Sequence, residues 1–442
     1  MTTILPPGPS GPCASEPEPG RSPSGPGTSG SDTSRGGPSA PRTGPIGVVR
    51  RLSGRLTPAD LRVLRLYLFT RLGLWLLAYS SAWLSPPGAL GAAGARPKDP
   101  ASWLSRWERW DWVHYQRIAE YGYFDPIPGG DPARGNRPAF FPGFPLVLRA
   151  VHTVVSDWTV AGLLISLVGG AVVVVALARI AGLGRPDGAL AGQRAAVILL
   201  LSPAAVFLAA GYTESLFLAF ALPAWLAAKN RHWRAAGLLA AAGTTVRISG
   251  LFLAAAIVVE FLLARRDRSD GDPRTRRLRP LSWCALPVVP VAAFTGYLWL
   301  KTGDWMAWQH AQERGWRREF HSPLETLEHT WRGAFGRIVS TGYAVEFQLE
   351  LVAMAVGALL LAVLLIRRCW PEALYIALNL WALGTSYWYL SVPRATLLWW
   401  PLWIGLAHWS LRRGWVKDAY LGVVAPLSIV LALTFTSGRW SG

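Results

Sequence analysis

The stretch that decides the fold runs from Trp103 to Pro145 and contains WLSRWERWDWVHYQRIAEYGYFDP (103–126) and NRPAFFPGFP (136–145). It is rich in Trp, Tyr, Arg and carboxylates, whereas almost everything that follows is apolar. It also lies between the first two apolar segments, so it is not a membrane crossing itself. We therefore predict a helix-bearing loop on the membrane surface, in which Asp111 performs the chemistry.

The composition indicates a polytopic membrane protein. The chain has 442 residues, of which 51% are hydrophobic, and it contains 24 Trp. Apolar runs of roughly 16–23 residues alternate with short charged segments, and about 20 apolar residues span a bilayer. The predicted fold class is therefore all-α, with a transmembrane domain over 56–442. The net charge of +18 fits basic loops at an anionic leaflet, and no nucleic-acid partner is expected.

The N-terminal region is predicted to be a disordered cytoplasmic tail. Residues 1–55 are rich in Pro, Gly and Ser, and too few large apolar residues are present to offset the conformational entropy of folding. No apolar signal-peptide core lies near Met1. Several arginines precede the first span, which places the N-terminus in the cytoplasm. The expected location is the plasma membrane.

Eleven spans can be counted from the apolar runs. They lie near 66–84, 159–181, 194–210, 213–228, 235–246, 248–264, 281–300, 348–366, 372–389, 395–411 and 419–436. This count puts the strongly basic segment 265–280 in the cytoplasm, as expected for positive loops. The short segment 144–155 is predicted to lie in the membrane interface.

Five polar segments then share the extracytoplasmic face. They are the first outer loop 85–158, the turn 211–215, the turn 244–250, the second outer loop 301–347, and the segment 391–394. They carry most of the unusual polar residues outside the cytoplasmic loops. We therefore predict a catalytic cleft on this face.

Asp111 is the candidate catalytic residue. Helical spacing would place Trp107, Asp111 and His114 on one face of an interfacial helix whose aromatic rings suit the membrane surface. Alternatively, the helix is only an interfacial anchor and its Asp faces water. The neighbouring FFPGFP segment is predicted to be a rigid turn, because Pro142 and Pro145 interrupt a helix.

Two arginines are candidates for binding a phosphate group. The 235–264 hairpin is short for two crossings, so Arg247 would lie below the membrane surface, where an arginine requires a cavity or a partner. A structural ion pair with Glu214 is the alternative. Arg394 could bind phosphate through its planar guanidinium, or could simply reach the interface. Thr213 is a possible helix N-cap, with Glu214 near the positive end of that helix.

The second outer loop mixes aromatic and hydrogen-bonding groups, as recognition of a sugar or headgroup requires. Its candidates for substrate contact are Asp304, Gln309 and His310. The histidines His310, His321 and His329 lack metal-ligand spacing, so no metal site is expected. The chain also lacks a phosphate-binding Gly-Lys motif.

Five motifs in order resemble the PIG-V-type mannosyltransferases. They are WDWVHYQRIAEYGY, AFFPGFP, SPAAVFLAAGYTES, TTVRISG and TGDWMAWQHAQ, and the resemblance covers most of the chain from about Leu66. The arginine-rich composition suggests a bacterial, actinobacterial member. The resemblance implies a GT-C glycosyltransferase fold. It also implies a polyprenyl-phosphate mannose donor, and transfer on the outer face with inversion to a glycan, glycolipid or glycoprotein acceptor.

The resemblance also implies residue roles. It maps the family's catalytic acid onto Asp111, its Tyr-Thr-Glu-Ser motif onto Tyr212–Ser215, and its following arginine onto Arg247. With Asp111 as general base, the phosphate leaving group needs charge stabilisation, for which we name Arg247 and Arg394. No metal or other cofactor is then required. The residues expected to contact substrate are Trp110, His114, Tyr212, Glu214, Asp304, Gln309 and His310.

Two other functions fit the same spans. A transporter or flippase for lipid-linked sugars predicts charged residues inside the spans and repeat symmetry. A non-catalytic membrane assembly subunit predicts that all five motifs tolerate alanine.

Overall fold

A computed structural model describes residues 56–84, 102–125, 135–266 and 281–439. The predictions for the tail 1–55 and for the basic segment from residue 267 to 280 lie outside the described residues. So do the parts of the first outer loop at 85–101 and 126–134.

The described residues are mostly helical and contain no strand. The helices are α1 (Pro58–Leu84), α2 (Asp111–Tyr121), α3 (Gly143–His152), α4 (Trp158–Ala181), α5 (Gly188–Leu200), α6 (Thr213–Lys229), α7 (Trp233–Val246), α8 (Ser249–Arg266), α9 (Leu281–Ala285), α10 (Val288–Thr302), α11 (Ala307–Trp316), α12 (Pro323–Phe335), α13 (Thr341–Ile366), α14 (Trp370–Gly384), α15 (Val392–Ala395), α16 (Trp400–Arg412), α17 (Gly414–Ala419) and α18 (Ala425–Thr436). Short 3-10 turns at 103–107, 137–139, 205–208 and 396–398 connect some of them, and a π-helical turn at 420–424 joins α17 to α18. The all-α prediction is confirmed for these residues.

The predicted count of eleven spans is not confirmed. Four helical segments within the described ranges are long and apolar enough to cross a membrane: Trp158–Ala181, Leu281–Thr302, Thr341–Ile366 and Gly414–Thr436. The predicted span 194–210 is wrong as one helix, because α5 ends at Leu200 and a 3-10 turn follows. The helices near 213–228, 235–246, 372–389 and 395–411 form, but each has 13 to 17 residues.

The helix bundle is held by apolar packing between α1, α4 and α5. Tyr67 on α1 is fully buried against Val174 and Leu200. Its hydroxyl donates to the carbonyl oxygen of Leu167 at 2.8 Å, which satisfies its polar group inside an apolar contact.

The first outer loop contains two helices, α2 and α3, as predicted for a helix-bearing loop. Only residues 140–142 of FFPGFP form the turn, with Pro142 as the N-cap of α3. The prediction that Pro145 interrupts a helix is wrong, because α3 begins at Gly143 and contains Pro145 in its first turn. The loop packs through Tyr123 and Phe141 against Phe294 and Leu298 of α10. The hydroxyl of Tyr123 donates to the carbonyl oxygen of Phe140 at 2.8 Å, which joins the end of α2 to the turn before α3.

The indole of Trp112 anchors α2 between two glycines. A Cβ atom on Gly162 of α4 would lie 2.4 Å from the Trp112 ring, and one on Gly211 would lie 2.5 Å from it. Trp112 is only 1% exposed. The absence of a Cβ at both positions therefore allows the ring to sit between the backbones.

Gly162→Ala is expected to lower stability by about 1–3 kcal/mol, because the added methyl group overpacks the Trp112 site. Thermal unfolding of the purified protein in detergent measures the effect. Gly296→Ala on α10 is the matched control, since no atom lies within 4 Å of its added Cβ. Equal melting temperatures for Gly162→Ala and the wild type would show that the site has room.

Candidate active site

Asp111 is the first residue of α2, directly after a strained residue. Trp110 has φ 50° and ψ −116°, a conformation that favours glycine. This turn separates α2 from the 3-10 helix Trp103–Trp107. The prediction that Trp107 and Asp111 lie on one continuous helix is therefore wrong. The turn places the Asp111 carboxylate at the positive end of α2, where a helix favours an anion.

Four charged side chains form a continuous chain of ion pairs. Nη1 of Arg394 donates to Oδ2 of Asp111 at 2.6 Å, and Nε of the same arginine donates to Oε1 of Glu214 at 2.5 Å. Nη1 of Arg247 donates to Oε1 of Glu214 and to Oγ1 of Thr213, each at 2.7 Å. We call Asp111, Arg394, Glu214 and Arg247 the tetrad. Its two negative and two positive charges cancel.

Burial differs across the tetrad. The Glu214 side chain is fully buried, and Arg394 and Asp111 are 6% and 12% exposed, whereas Arg247 is 25% exposed. Oε2 of Glu214 has no hydrogen-bond partner among the described residues. Glu214 is thus shared by the two arginines, and Arg247 is the more accessible of the two cations.

Aromatic rings cover the inner side of Arg394. The Arg394 Cζ atom lies 4.8 Å from the ring centre of Tyr212 and 5.0 Å from that of Phe207. The face of an aromatic ring attracts a cation. Tyr212 is fully buried, and its hydroxyl donates to the carbonyl oxygen of Arg109 at 2.6 Å. The structure therefore places Tyr212 behind the tetrad, and not at the wall of a cavity as predicted for a substrate contact.

The segment that carries Arg394 is held by Glu350 of α13. The backbone N–H groups of Ser391 and Val392 donate to the two carboxylate oxygens of Glu350 at 2.7 and 2.8 Å. Ser391 itself has φ 63°, in the left-handed region. Sequence reasoning missed Glu350 because the residue lies inside an apolar run. The sequence feature that could have identified it is the carboxylate itself, since a charged residue in a membrane span needs a partner.

A cavity of about 440 Å³ opens on one side of Asp111. Its charged lining residues are Asp111 and three arginines, Arg247, Arg318 and Arg394. We call it the basic cavity. Gln309 also lines it, and its Nε2 donates to the carbonyl oxygen of Arg318 at 3.0 Å. Arg318 was not among the predicted site residues, although it follows the motif that contains Gln309.

A second cavity, of about 650 Å³, also has Asp111 in its wall. Its charged lining residues are Asp111, Glu346 and Glu350, and its rings include Trp110 and His114. We call it the acid–aromatic cavity. The two cavities share only Asp111 and Trp316 in their linings. Asp111 is therefore accessible from two chemically different sides.

Asp304 and His310 are not brought to either cavity. Oδ2 of Asp304 lies 2.6 Å from Nδ1 of His310, and Oδ1 accepts from the backbone N–H of Met306 at 2.8 Å. The two residues thus form a local pair at the start of α11. Thr213 is also placed differently from its prediction, because it begins α6 with no capping hydrogen bond and instead binds Arg247.

The five segments predicted to share one face contribute to one site. The first outer loop supplies Asp111, the two turns supply Glu214 and Arg247, and the segment 391–394 supplies Arg394. The second outer loop supplies Gln309 and Arg318. Over the ranges that the structure describes, no group of three or more His, Cys, Asp or Glu side chains could hold a metal ion.

His114 is packed between Phe140 and Trp316, with ring centres 5.0 and 5.9 Å away. Burial lowers the pKa of His114 from its usual value; the nearby Asp111 carboxylate opposes this shift and Arg137 adds to it. The unfolded chain therefore binds a proton near pH 6.5 that the folded protein does not bind. Since the unfolded state then holds more protons, this contribution to stability is complete above about pH 6.5 and is lost as the pH falls below it.

His114→Gln is expected to weaken the loss of stability on acidification. Melting temperatures at about pH 8 and about pH 5.5 measure this loss of stability, because a histidine of the unfolded chain changes charge between these pH values. His232→Gln is the control, since His232 is exposed. The same drop in melting temperature in wild type and His114→Gln would contradict the assignment.

Residues 60–265 match the mannosyltransferase (PIG-V) family. This match confirms the resemblance for the first four motifs, and its range includes Asp111, Glu214 and Arg247. The fifth motif, TGDWMAWQHAQ (302–312), and Arg394 lie beyond it.

Curated relatives match over part of their length. The chain is 35% identical over 193 residues to GPI alpha-1,6-mannosyltransferase 2 of Rattus norvegicus, which covers 40% of this chain and 35% of the relative. It is 37% identical over 166 residues to the same enzyme of Cricetulus griseus, covering 35% and 30%. The chain therefore spans about a third of the length of these relatives.

Two solved structures are similar at low identity. The crystal structure of ArnT from Cupriavidus metallidurans bound to undecaprenyl phosphate gives a TM-score of 0.45 at 15% identity, covering 82% of this chain and 63% of that one. The archaeal oligosaccharyltransferase AglB from Archaeoglobus fulgidus, in complex with an inhibitory peptide and a dolichol-phosphate, gives 0.42 at 12% identity, covering 85% and 56%.

Proposed function

We propose that the chain is an integral-membrane glycosyltransferase of the GT-C type. It moves a mannosyl residue from a polyprenyl-phosphate donor to a hydroxyl acceptor on the extracytoplasmic face of the plasma membrane. The observation that carries this proposal is the position of Asp111 between a basic and an acid–aromatic cavity. The match of residues 60–265 to the PIG-V family supports it.

The basic cavity suits the donor. Three arginines line it, and a planar guanidinium binds phosphate oxygens through paired hydrogen bonds. Arg394 and Arg247 are both bound to Glu214, but Arg394 is only 6% exposed and Arg247 is 25% exposed. Arg247 and the neighbouring Arg318 are therefore the arginines that reach a phosphate. The phosphate departs as an anion, and positive charges fixed in advance stabilise the charge that develops on it.

Asp111 is the general base in this proposal. Arg394 holds its Oδ2, and no described residue donates a hydrogen bond to its Oδ1. An acceptor hydroxyl in the acid–aromatic cavity donates its proton to Oδ1 while its oxygen forms a bond to the anomeric carbon. The bond between that carbon and the phosphate oxygen breaks on the opposite side, so the configuration inverts. Positioned bases of this kind contribute about 10² to 10⁴ in rate.

Transfer by the purified protein in lipid nanodiscs tests the proposal. The donor is polyprenyl-phosphate [¹⁴C]mannose. The acceptors are glycans freed of lipid, and glycolipids, both extracted from the source cells. We expect radioactivity in a new glycosidic bond whose anomeric configuration, read by NMR, is opposite to that of the donor. Consumption of a nucleotide-sugar donor instead, or movement of the lipid-linked sugar across a membrane without a new bond, would contradict it. The second outcome would indicate a transporter, and binding without either activity would indicate an assembly subunit.

A further inference from the structure

One face of α13 lines the acid–aromatic cavity. Tyr343, Glu346, Phe347 and Glu350 all contribute to its wall. Residues three and four apart lie on the same side of a helix, so these four form a single stripe over two turns. The stripe alternates aromatic and acidic side chains.

The charges of this cavity are of one sign. Its acids are Asp111, Glu346 and Glu350, and no Arg or Lys stands among its lining residues. The lowered pKa of His114 keeps that ring uncharged near neutral pH. The basic cavity on the other side of Asp111 has the opposite balance, with three arginines.

Glu346 is the carboxylate that a ligand can use. Asp111 is bound by Arg394, and both oxygens of Glu350 are taken by backbone N–H groups. Glu346 is half-buried at the cavity wall, and no described residue forms a hydrogen bond or ion pair with it. A carboxylate in such a place favours a hydroxyl or ammonium group and opposes a second anion.

The aromatic side chains of the wall add a second preference. Trp110, Trp316 and Trp388 line the cavity together with Tyr343 and Phe347. Ring faces carry negative charge density, so they attract C–H edges and cations and not anions. The acidic groups and the aromatic groups of the wall therefore both disfavour an anionic ligand.

We propose that the acid–aromatic cavity takes a neutral or cationic carbohydrate and disfavours an anionic one, with Glu346 as the selecting residue. The role of this carbohydrate as acceptor rests on the proposed function. Its charge preference does not, because that is a property of the cavity alone.

Binding of three methyl glycosides tests the preference without turnover. The probes are the methyl glycosides of a neutral hexose, of a 2-amino-2-deoxyhexose and of a hexuronic acid, measured by saturation-transfer NMR on the full chain in nanodiscs. Excess methyl phosphate occupies the basic cavity, so that the hexuronide cannot bind there. We expect the neutral and amino sugars to bind more tightly than the hexuronide.

At about pH 8.5, where carboxyl groups are ionised, Glu346→Gln is expected to raise the affinity for the hexuronide relative to the neutral sugar by about three- to tenfold, since it removes one charge near the ligand. Glu346→Asp keeps the charge and should keep the preference, which separates a charge effect from a loss of folding. Glu328→Gln is the control, because Glu328 lies on α12 with an exposed side chain.

Three results would overturn the proposal. They are equal binding of the hexuronide and the neutral sugar to the wild type, equal shifts in Glu346→Gln and Glu328→Gln, and binding of none of the three glycosides. Selective binding in a protein that transfers no mannose would instead contradict the proposed function and leave the charge preference standing.

Discussion

Asp111→Asn is expected to lower mannosyl transfer by about 10²- to 10⁴-fold, the usual contribution of a positioned general base. The amide oxygen can still accept a hydrogen bond from Arg394, so the tetrad geometry is retained. The amide cannot take up the proton of the acceptor hydroxyl. We therefore expect kcat to fall while KM for the lipid donor changes little, as when a transition-state interaction is removed.

Steady-state transfer from polyprenyl-phosphate mannose measures this effect, with melting temperatures to confirm that the variant is folded. Asp157→Asn is the matched control in the same outer loop. Asp157 caps α4 through a hydrogen bond from the backbone N–H of Val160 at 2.8 Å, and asparagine caps a helix equally well. Activity of Asp111→Asn close to that of the control would exclude Asp111 as the base.

Glu214→Ala is expected to reduce stability by about 3–5 kcal/mol, since removal of one partner of a buried pair leaves charge uncompensated. Glu214 is fully buried and accepts from Arg394 and Arg247 at 2.5 and 2.7 Å. When the Glu214 carboxylate is removed, Asp111 is the one carboxylate of the tetrad that remains for the two guanidinium groups. Repulsion between them then adds to the cost of their burial.

Thermal unfolding in detergent measures the loss. Glu328→Ala is the control, because it removes an exposed ion pair with Arg332, and such pairs contribute about 0–1 kcal/mol. Similar melting temperatures for the two variants would show that the tetrad does not hold the helices together. Glu214→Gln, which keeps an oxygen acceptor, should fall between wild type and Glu214→Ala.

The helical class was predictable because apolar runs of spanning length are a strong signal. The number of crossings was not, since counting requires each run to be one helix. The run 194–210 is divided at Leu200, and its remainder forms a turn whose residues are as apolar as a helix. Hydrophobicity indicates that a residue is buried, and the residues of a packed turn are buried as well as those of a helix. An apolar run therefore does not by itself indicate a single helix.

Asp111 was predictable as a candidate because its own neighbours in sequence are unusual. Its partner Arg394 lies 283 positions away, and no local pattern pairs them. Trp110 takes a backbone conformation that favours glycine, so local propensity predicted a helix continuing through it. Asp304 and His310 were selected by the same local reasoning as Gln309, but a short hydrogen bond pairs them with each other, away from both cavities.

The balanced charge of the tetrad has a consequence for the donor. Before any ligand arrives, Arg247 is already bound to Glu214, so an incoming phosphate does not fill an empty site. It competes with a carboxylate for the same guanidinium, and its net affinity is the difference between two anion contacts. The exchange is reversible, because Glu214 stays beside Arg247 and can bind it again in place of the phosphate. A lipid phosphate left after transfer is then displaced from within the protein, and the site is restored for the next donor.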